Sequence, residues 1–248
     1  MPASVAPAVW EIPQVIRARL GDQVGRQRAM FHDGHLLLVL HAPPGPDELE
    51  RRGRLFWREP NGTWHSTEQG AGKAALARHI DEYAELLEAL ERRWREAKTA
   101  DEYFAVLNAA APLHRAARNL HHTLQQARES VPADRDLINF RDRAYAVERT
   151  AELLCSDTKN ALDFAVARRA EEQARSSYRM AVSAHRLNLL AAFFFPIATL
   201  SAIFGMELRN GLETLDRPDL PLPFLAVLGL GLLGGLVLTS FVMRSRQA

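Results

Sequence analysis

The stretch from Ala133 to Phe204 contains no glycine and only one proline, Pro196. It is therefore almost free of the two residue types that most often end helices, and it predicts one continuous helix of about 72 residues and roughly 108 Å. A helix of that length does not belong to an ordinary globular core. It indicates a stalk that leaves a soluble domain and continues into a membrane.

Two apolar segments lie near the C-terminal end, at about Leu187 to Phe204 and about Leu222 to Met243. Each has about 18 to 22 residues, which matches a hydrocarbon core of about 30 Å at roughly 1.5 Å per residue. We therefore predict a mainly α membrane protein with two transmembrane helices, over residues 187–206 and 222–243. An acidic external loop over 207–221 joins them.

The charges around these segments predict their orientation. Arginines precede the first segment and follow the second, at Arg168, Arg169, Arg175, Arg179, Arg186, Arg244 and Arg246. The loop between them carries more acidic than basic residues, with Glu207, Glu213, Asp216 and Asp219 against Arg209 and Arg217. By the positive-inside rule both termini, including the tail 244–248, face the cytoplasm, which predicts a multi-pass protein of the cell inner membrane.

The residues before the long helix predict a cytoplasmic part made of two subdomains and a stalk. Residues 1–70 form a small antiparallel β subdomain, with candidate strands at Val15–Leu20, Arg28–Phe31, Leu36–Leu40, Arg54–Arg58 and Thr63–Ser66. Asn61-Gly62 is a hairpin signal, and Trp57 and Trp64 on its arms are expected to pair across the strands. With Trp10 they are assigned to the core.

Helical periodicity begins at about Gly72. Residues 71–131 predict a helical hairpin, in which Thr99 is the N-cap of the second helix and Pro112 is a candidate kink. Residues 132–186 are the stalk part of the long helix.

Apolar spacing along the long helix predicts two consecutive seams. The first follows a 3-4 alternation typical of coiled coils and bundles, through Leu137, Phe140, Ala144, Val147, Ala151, Leu154, Thr158, Ala161 and Ala165. A phase shift near Leu162 and Val166 starts the second, through Ala170, Ala174, Ser177, Ala181, Ala184, Asn188, Ala191, Phe195, Ala198 and Ala202. The second seam continues into the predicted membrane segment.

The second seam consists almost wholly of small side chains, and this has two interpretations. Small residues let membrane helices approach closely. They also leave room along an axis when several copies of the helix surround it. Asn188 favours the second interpretation, because an amide in a membrane helix is costly to expose to lipid. The second apolar segment has Gly229, Gly231, Gly234 and Gly235 and is expected to pack on the first.

Several function classes lack sequence support. The balance of 31 basic and 30 acidic side chains gives no general case for nucleic-acid binding. We find no phosphate-binding loop, nucleophile elbow or paired-carboxylate site, so we expect neither an enzyme nor an organic cofactor. His114, His121 and His122 would need further ligands to hold a metal, and His185 lies beside the second seam without a ligand motif.

The stretch from about Tyr145 to Met243 resembles the CorA family of divalent-cation channels and transporters. The likeness is clearest from Phe194-Phe195-Pro196 through Ala202-Ile203-Phe204-Gly205-Met206, and Pro218-Asp219-Leu220 is similar to the Pro-Glu-Leu of the family loop. Family members form homopentamers in which the first membrane helix lines the pore and the second faces lipid. The resemblance implies a pore lined by Ala181, Ala184, Asn188, Ala191, Phe195, Ala198 and Ala202.

The tripeptide Gly205-Met206-Glu207 would form the selectivity site at the pore mouth, and it departs from the family's Gly-Met-Asn. A ring of Glu207 carboxylates attracts cations more strongly than a ring of amides and could bind a hydrated or a directly coordinated ion. The resemblance therefore implies transport of a divalent cation, namely Mg²⁺, Zn²⁺, Co²⁺ or Ni²⁺. The alternative is a non-conducting membrane scaffold or sensor with the same architecture.

Overall fold

The computed structural model describes residues 6–45, 52–68, 70–205 and 222–244. The protein is mostly helical, with one small antiparallel sheet and one long helix that carries an apolar segment. The chain divides into two compact units, Met1–Arg168 and Arg169–Ala248.

The sheet of the first unit has four antiparallel strands in sequence order. They are β1 (Arg28–His32), β2 (His35–His41), β3 (Gly53–Arg58) and β4 (Trp64–Ser66). The turn between β1 and β2 has positive φ at both central residues, 47° at Asp33 and 77° at Gly34. A two-residue hairpin of this type needs positive φ at both positions, which Asp-Gly sequences adopt readily. Asp33 and Gly34 therefore form the tight turn that joins β1 and β2.

The central strand β2 is buried on both faces of the sheet. Leu36, Leu38 and Leu40 belong to a core shared with the helices. Leu37 and Val39 belong to a second core that is covered by the N-terminal segment. Burial on both faces explains why β2 is a continuous apolar run rather than an alternating one.

The prediction of a strand at Val15–Leu20 is wrong. Residues Gln14–Arg17 form a single helical turn, α1, and Ile16 is fully buried in the second core. The turn begins at Pro13, whose carbonyl accepts the N–H groups of Ile16 and Arg17. Proline fixes φ near the helical value, so it favours a helical start over an extended strand.

The prediction that Trp57 and Trp64 pair across the hairpin is also wrong. The register places Trp57 opposite His65 and Arg58 opposite Trp64. The two tryptophans are therefore out of step by one residue and lie on opposite faces of the sheet. Trp57 stacks on His65 with ring centroids 4.7 Å apart and contacts Trp10 at 5.8 Å. All three tryptophans are buried, as predicted.

Two helices form the predicted hairpin, α2 (Gly72–Glu96) and α3 (Ala100–Ser130). Thr99 caps α3 in a capping box with Glu102, in which each side chain accepts a backbone N–H of the other residue. The long helix α4 (Arg135–Gly205) follows. The first seam of α4 is buried at Leu137, Phe140, Ala144, Val147, Ala151, Leu154 and Thr158. The 3-4 spacing thus correctly predicted the face of α4 that packs in the first unit.

An ion pair holds the start of α4 against strand β3 of the sheet. Asp134 accepts the Nε–H of Arg58 at 2.6 Å and the N–H of Asp136 at 3.0 Å, so it is both an ion-pair partner and the helix cap. The Arg58 and Asp134 side chains are 13% and 10% exposed. A lost partner would leave a buried charge uncompensated, so this pair fixes where α4 begins.

His79 on α2 is buried among aromatic rings of the first unit. Its ring lies 5.6 Å from Phe56 and 5.5 Å from Tyr83, and its Nδ1 is 3.1 Å from a guanidinium nitrogen of Arg54. Burial, followed by the positive charge of Arg54 and then by His41, lowers the pKa of His79 to about 3. The imidazole is therefore neutral in the folded protein at physiological pH.

This buried histidine predicts a pH dependence of stability. Below a pH of about 6.5 the unfolded chain protonates His79 while the folded protein does not. The free energy of unfolding should then fall by about 1.4 kcal/mol per pH unit between about 6.5 and 3 because of this residue. We expect His79→Leu to remove this part of the slope, measured by chemical denaturation of the full chain in detergent from pH 7.5 to 5. Replacement of the exposed His122 by leucine is the control, and an identical slope in both variants would contradict the prediction.

Candidate functional site

The second unit contains the rest of α4 and the helix α5 (Leu222–Arg244). Within the described residues, α4 is the one helix that is long and apolar enough to cross a membrane. None of its apolar window is buried within the chain. A shorter apolar helical stretch covers Leu225–Ser240. These side chains need an environment that the single chain does not provide.

Helix α5 packs on one face of α4 through glycines. A Cβ atom built on Gly235 would lie 2.5 Å from the carbonyl oxygen of Phe193, and one on Gly231 would lie 3.2 Å from the Cα of Ile197. Both glycines are buried. The backbones approach so closely that only glycine fits without a shift, which is the packing expected for small residues in apolar helices.

The predicted pore-lining residues lie on the other side of α4. At about 100° per residue, the small-residue seam is centred roughly opposite the face that contacts α5. Every member of this set is exposed in the single chain: Ala181, Ala184, Asn188, Ala191, Phe195, Ala198 and Ala202. Phe195 is the most prominent apolar side chain among them, at 69% exposed. We call this set the α4 stripe.

The chemistry of the α4 stripe is that of a narrow surface with one amide. Asn188 is its polar member, and its amide can donate and accept hydrogen bonds. Thr199 lies beside the stripe, but its hydroxyl donates to the backbone carbonyl of Phe195 at 2.8 Å. The stripe can therefore face a second copy of the helix or water, and it offers few groups to an organic ligand.

The predicted selectivity tripeptide is only partly described. Gly205 ends α4. Met206 and Glu207 lie outside the described residues, as does the predicted loop over 207–221. The described residues contain no group of three or more histidine, cysteine, aspartate or glutamate side chains placed to hold a metal ion.

Two of the histidines considered from the sequence, His121 and His122, make ordinary polar contacts. His121 pairs with Glu148 at 2.5 Å, which connects α3 to α4, and its ring lies 5.3 Å from that of Tyr145. His122 contacts the side-chain amide of Gln126 at 3.0 Å. His185 is half-buried on the side of α4 away from the centre of the stripe. The sequence did not indicate the partner of His121, because Glu148 lies on a different helix.

Sequence reasoning also missed which face of α4 receives α5. The glycine positions predicted that the two segments pack together, but they did not identify Phe193, Pro196 and Ile197 as the contacted residues. Side-chain size gave no signal, because the α4 stripe contains Phe195, which is as large as Phe193.

No protein-family model matches the chain, and no curated protein matches its sequence significantly. Among solved structures, the chain is similar to the CorA magnesium transporter from Methanocaldococcus jannaschii, with 12% identity and a TM-score of 0.48 over 90% of this chain and 82% of that one. It is also similar to the full-length CmaX protein, with 14% identity and a TM-score of 0.45 over 91% of this chain and 79% of that one. Both TM-scores are below 0.5, so neither similarity determines the activity of this chain.

Proposed function

We propose that this chain is one subunit of a homopentameric channel that passes divalent cations across the cell inner membrane. One observation carries the proposal: α4 exposes a continuous stripe of small residues with one amide, while α5 covers the opposite face. In lipid, an exposed amide is costly unless it faces water or a neighbouring helix. When several copies of α4 surround an axis, each Asn188 can face both water and a neighbouring helix. The resemblance of the sequence to the CorA family supports five copies.

Each part of the stripe has a distinct role in this proposal. The ring of Asn188 amides offers carbonyl oxygens to a hydrated ion near the cytoplasmic side. The ring of Phe195 side chains forms an apolar constriction, which an ion passes only when the constriction is wetted. The small residues between them keep the axis wide enough for water.

Glu207 follows the end of α4 by two positions and supplies the charge at the outer mouth. Carboxylate oxygens are the preferred ligands of hard divalent cations, and a ring of like charges raises the local cation concentration. Mutual repulsion among the carboxylates favours partial protonation, so acidification should weaken the attraction. The transported ion is Mg²⁺, Zn²⁺, Co²⁺ or Ni²⁺.

The proposal predicts a measurable divalent flux that depends on Glu207. Purified protein in liposomes should pass at least one of these ions faster than lipid alone. Glu207→Gln should reduce the flux at low ionic strength by about tenfold, because a charged mouth raises association rates by that order, and the deficit should shrink as salt screens the ring. A fluorescent ion indicator inside the liposomes measures both effects.

A second carboxylate of the predicted loop provides the control. Glu213→Gln removes the same charge six positions further along the chain and should change the flux less. Equal flux in both variants would remove Glu207 from the proposal. Flux no greater than that of lipid alone, from a protein that is oligomeric by cross-linking, would favour the non-conducting scaffold or sensor instead.

A further inference from the structure

Three arginines continue, toward the N-terminus, the face of α4 that contacts α5. At about 100° per residue, Arg175, Arg179 and Arg186 lie within about 40° of one another and of Phe193 and Ile197. All three arginines are exposed. The α4 stripe occupies the other side of the helix, so its small residues and these basic residues are separated around the helix axis.

Two of these arginines have no acidic neighbour on their own helix. Arg175 is paired with Glu171 at 2.5 Å, one turn before it. From residue 173 to residue 205 the sequence has no aspartate or glutamate. Arg179 and Arg186 therefore lack a carboxylate one turn away on either side, the distance at which helix side chains pair. They offer two positive charges that the second unit does not neutralise in its described residues.

The depth of each arginine follows from its distance to the apolar segment. Arg186 immediately precedes Leu187, where the apolar segment begins. Arg179 lies about 10 Å from Arg186 along the helix axis, toward the N-terminus, and Arg175 lies about 16 Å from Arg186 in the same direction. A headgroup layer is about 5 to 8 Å thick on each side of the hydrocarbon core. The guanidinium of Arg186 falls within that layer and Arg179 reaches its edge by extending its side chain, whereas Arg175 stays in the cytoplasm.

We propose that Arg179 and Arg186 bind the phosphate group of an acidic phospholipid in the cytoplasmic leaflet. This inference rests on the proposed membrane position of α4. Guanidinium groups match phosphate oxygens with two parallel hydrogen bonds, and basic side chains next to a membrane segment attract anionic lipids. Counted from the contact of Gly235 with Phe193, α5 ends near the level of Arg186 on the same face of α4, so the lipid would sit beside the end of α5 at the outer side of the subunit, away from the α4 stripe.

The test measures lipid binding to the purified full-length protein in detergent by native mass spectrometry, with phosphatidylglycerol and phosphatidylcholine as probes. Wild-type protein should bind phosphatidylglycerol at least tenfold more strongly than phosphatidylcholine. Replacing both Arg179 and Arg186 with glutamine should weaken phosphatidylglycerol binding by about thirtyfold, roughly fivefold for each charge. Lysine at both positions should restore part of the binding, because lysine keeps the positive charge but cannot form the bidentate hydrogen bonds of a guanidinium group.

Arg175→Gln is the matched control, because it removes the same charge from the same face at a greater distance from the membrane. It should leave phosphatidylglycerol binding unchanged. Equal binding of the two lipids, an unchanged preference in the double glutamine variant, or displacement by millimolar inorganic phosphate alone would each overturn the inference. If the wild-type protein carries ion flux but shows no preference for phosphatidylglycerol, only this inference is overturned. If the wild-type chain is absent from carbonate-washed membranes, the proposed function is overturned as well.

Discussion

Replacing Gly235 with alanine should destabilise the pairing of α4 and α5, whereas the same change at Gly229 should not. A Cβ atom on Gly235 would lie 2.5 Å from the carbonyl oxygen of Phe193 and 3.3 Å from its carbonyl carbon. These are backbone atoms of a helix, so they cannot rotate away as a side chain can. The helices must separate, and overpacking of this kind costs about 1 to 3 kcal/mol.

Gly229 is the matched control because nothing lies within 4 Å of a Cβ atom built there. Alanine also has a higher helix propensity than glycine, by about 0.8 to 1 kcal/mol in helix interiors. Gly229→Ala should therefore raise Tm or leave it unchanged, while Gly235→Ala should lower it despite the same gain in propensity. Thermal unfolding of the full chain in detergent measures both changes. Equal shifts in Tm would show that α5 does not approach α4 at Gly235.

The helical architecture could be predicted from sequence because its signals are local. The absence of glycine between Ala133 and Phe204 predicted α4, which the structure places at Arg135–Gly205. The apolar 3-4 spacing predicted its buried face as far as Thr158, and the motif at Thr99 predicted the start of α3. Each signal acts through neighbours one or two turns away, so no tertiary information was needed.

The errors in the β subdomain have a different origin. Val15–Leu20 has a strand-like composition, but Pro13 and the burial of Ile16 against the sheet favour a helical turn. The faces of Trp57 and Trp64 depend on the register of the hairpin, and a shift of one residue moves a side chain to the opposite face. Register is set by the packing of both faces together, which a single strand sequence does not encode.

The candidate site was only partly predictable for a similar reason. Spacing alone identified the α4 stripe, but it left close packing and a pore as alternatives. The position of α5 distinguishes the two faces of α4, and that position depends on backbone approach at Gly231 and Gly235. The basic pair Arg179 and Arg186 was visible in the sequence only as charge before a membrane segment. Assigning the pair to the face of α4 that packs against α5 required the contacts of Gly231 and Gly235 with α4.

The largest effect on transport is expected when the α4 stripe is filled. Ala202 is an exposed member of the stripe, and Ser201 is its exposed neighbour about 100° away around the helix. In an assembly with the stripe on the axis, Ala202→Leu adds a ring of branched apolar side chains to the path. An apolar constriction blocks ions by excluding water, so divalent flux in liposomes should fall by roughly tenfold or more.

Ser201→Leu introduces the same side chain at the same depth but away from the axis, and it should leave most of the flux intact. Cross-linking of each variant in the liposomes verifies that the number of subunits is unchanged, so that lost flux reports the path rather than the assembly. If Ser201→Leu blocks the flux and Ala202→Leu does not, the ion path lies on a different face of α4. If neither variant changes a flux that exceeds that of lipid alone, the ions do not pass along α4 at this depth, and the stripe is then a surface for close helix packing.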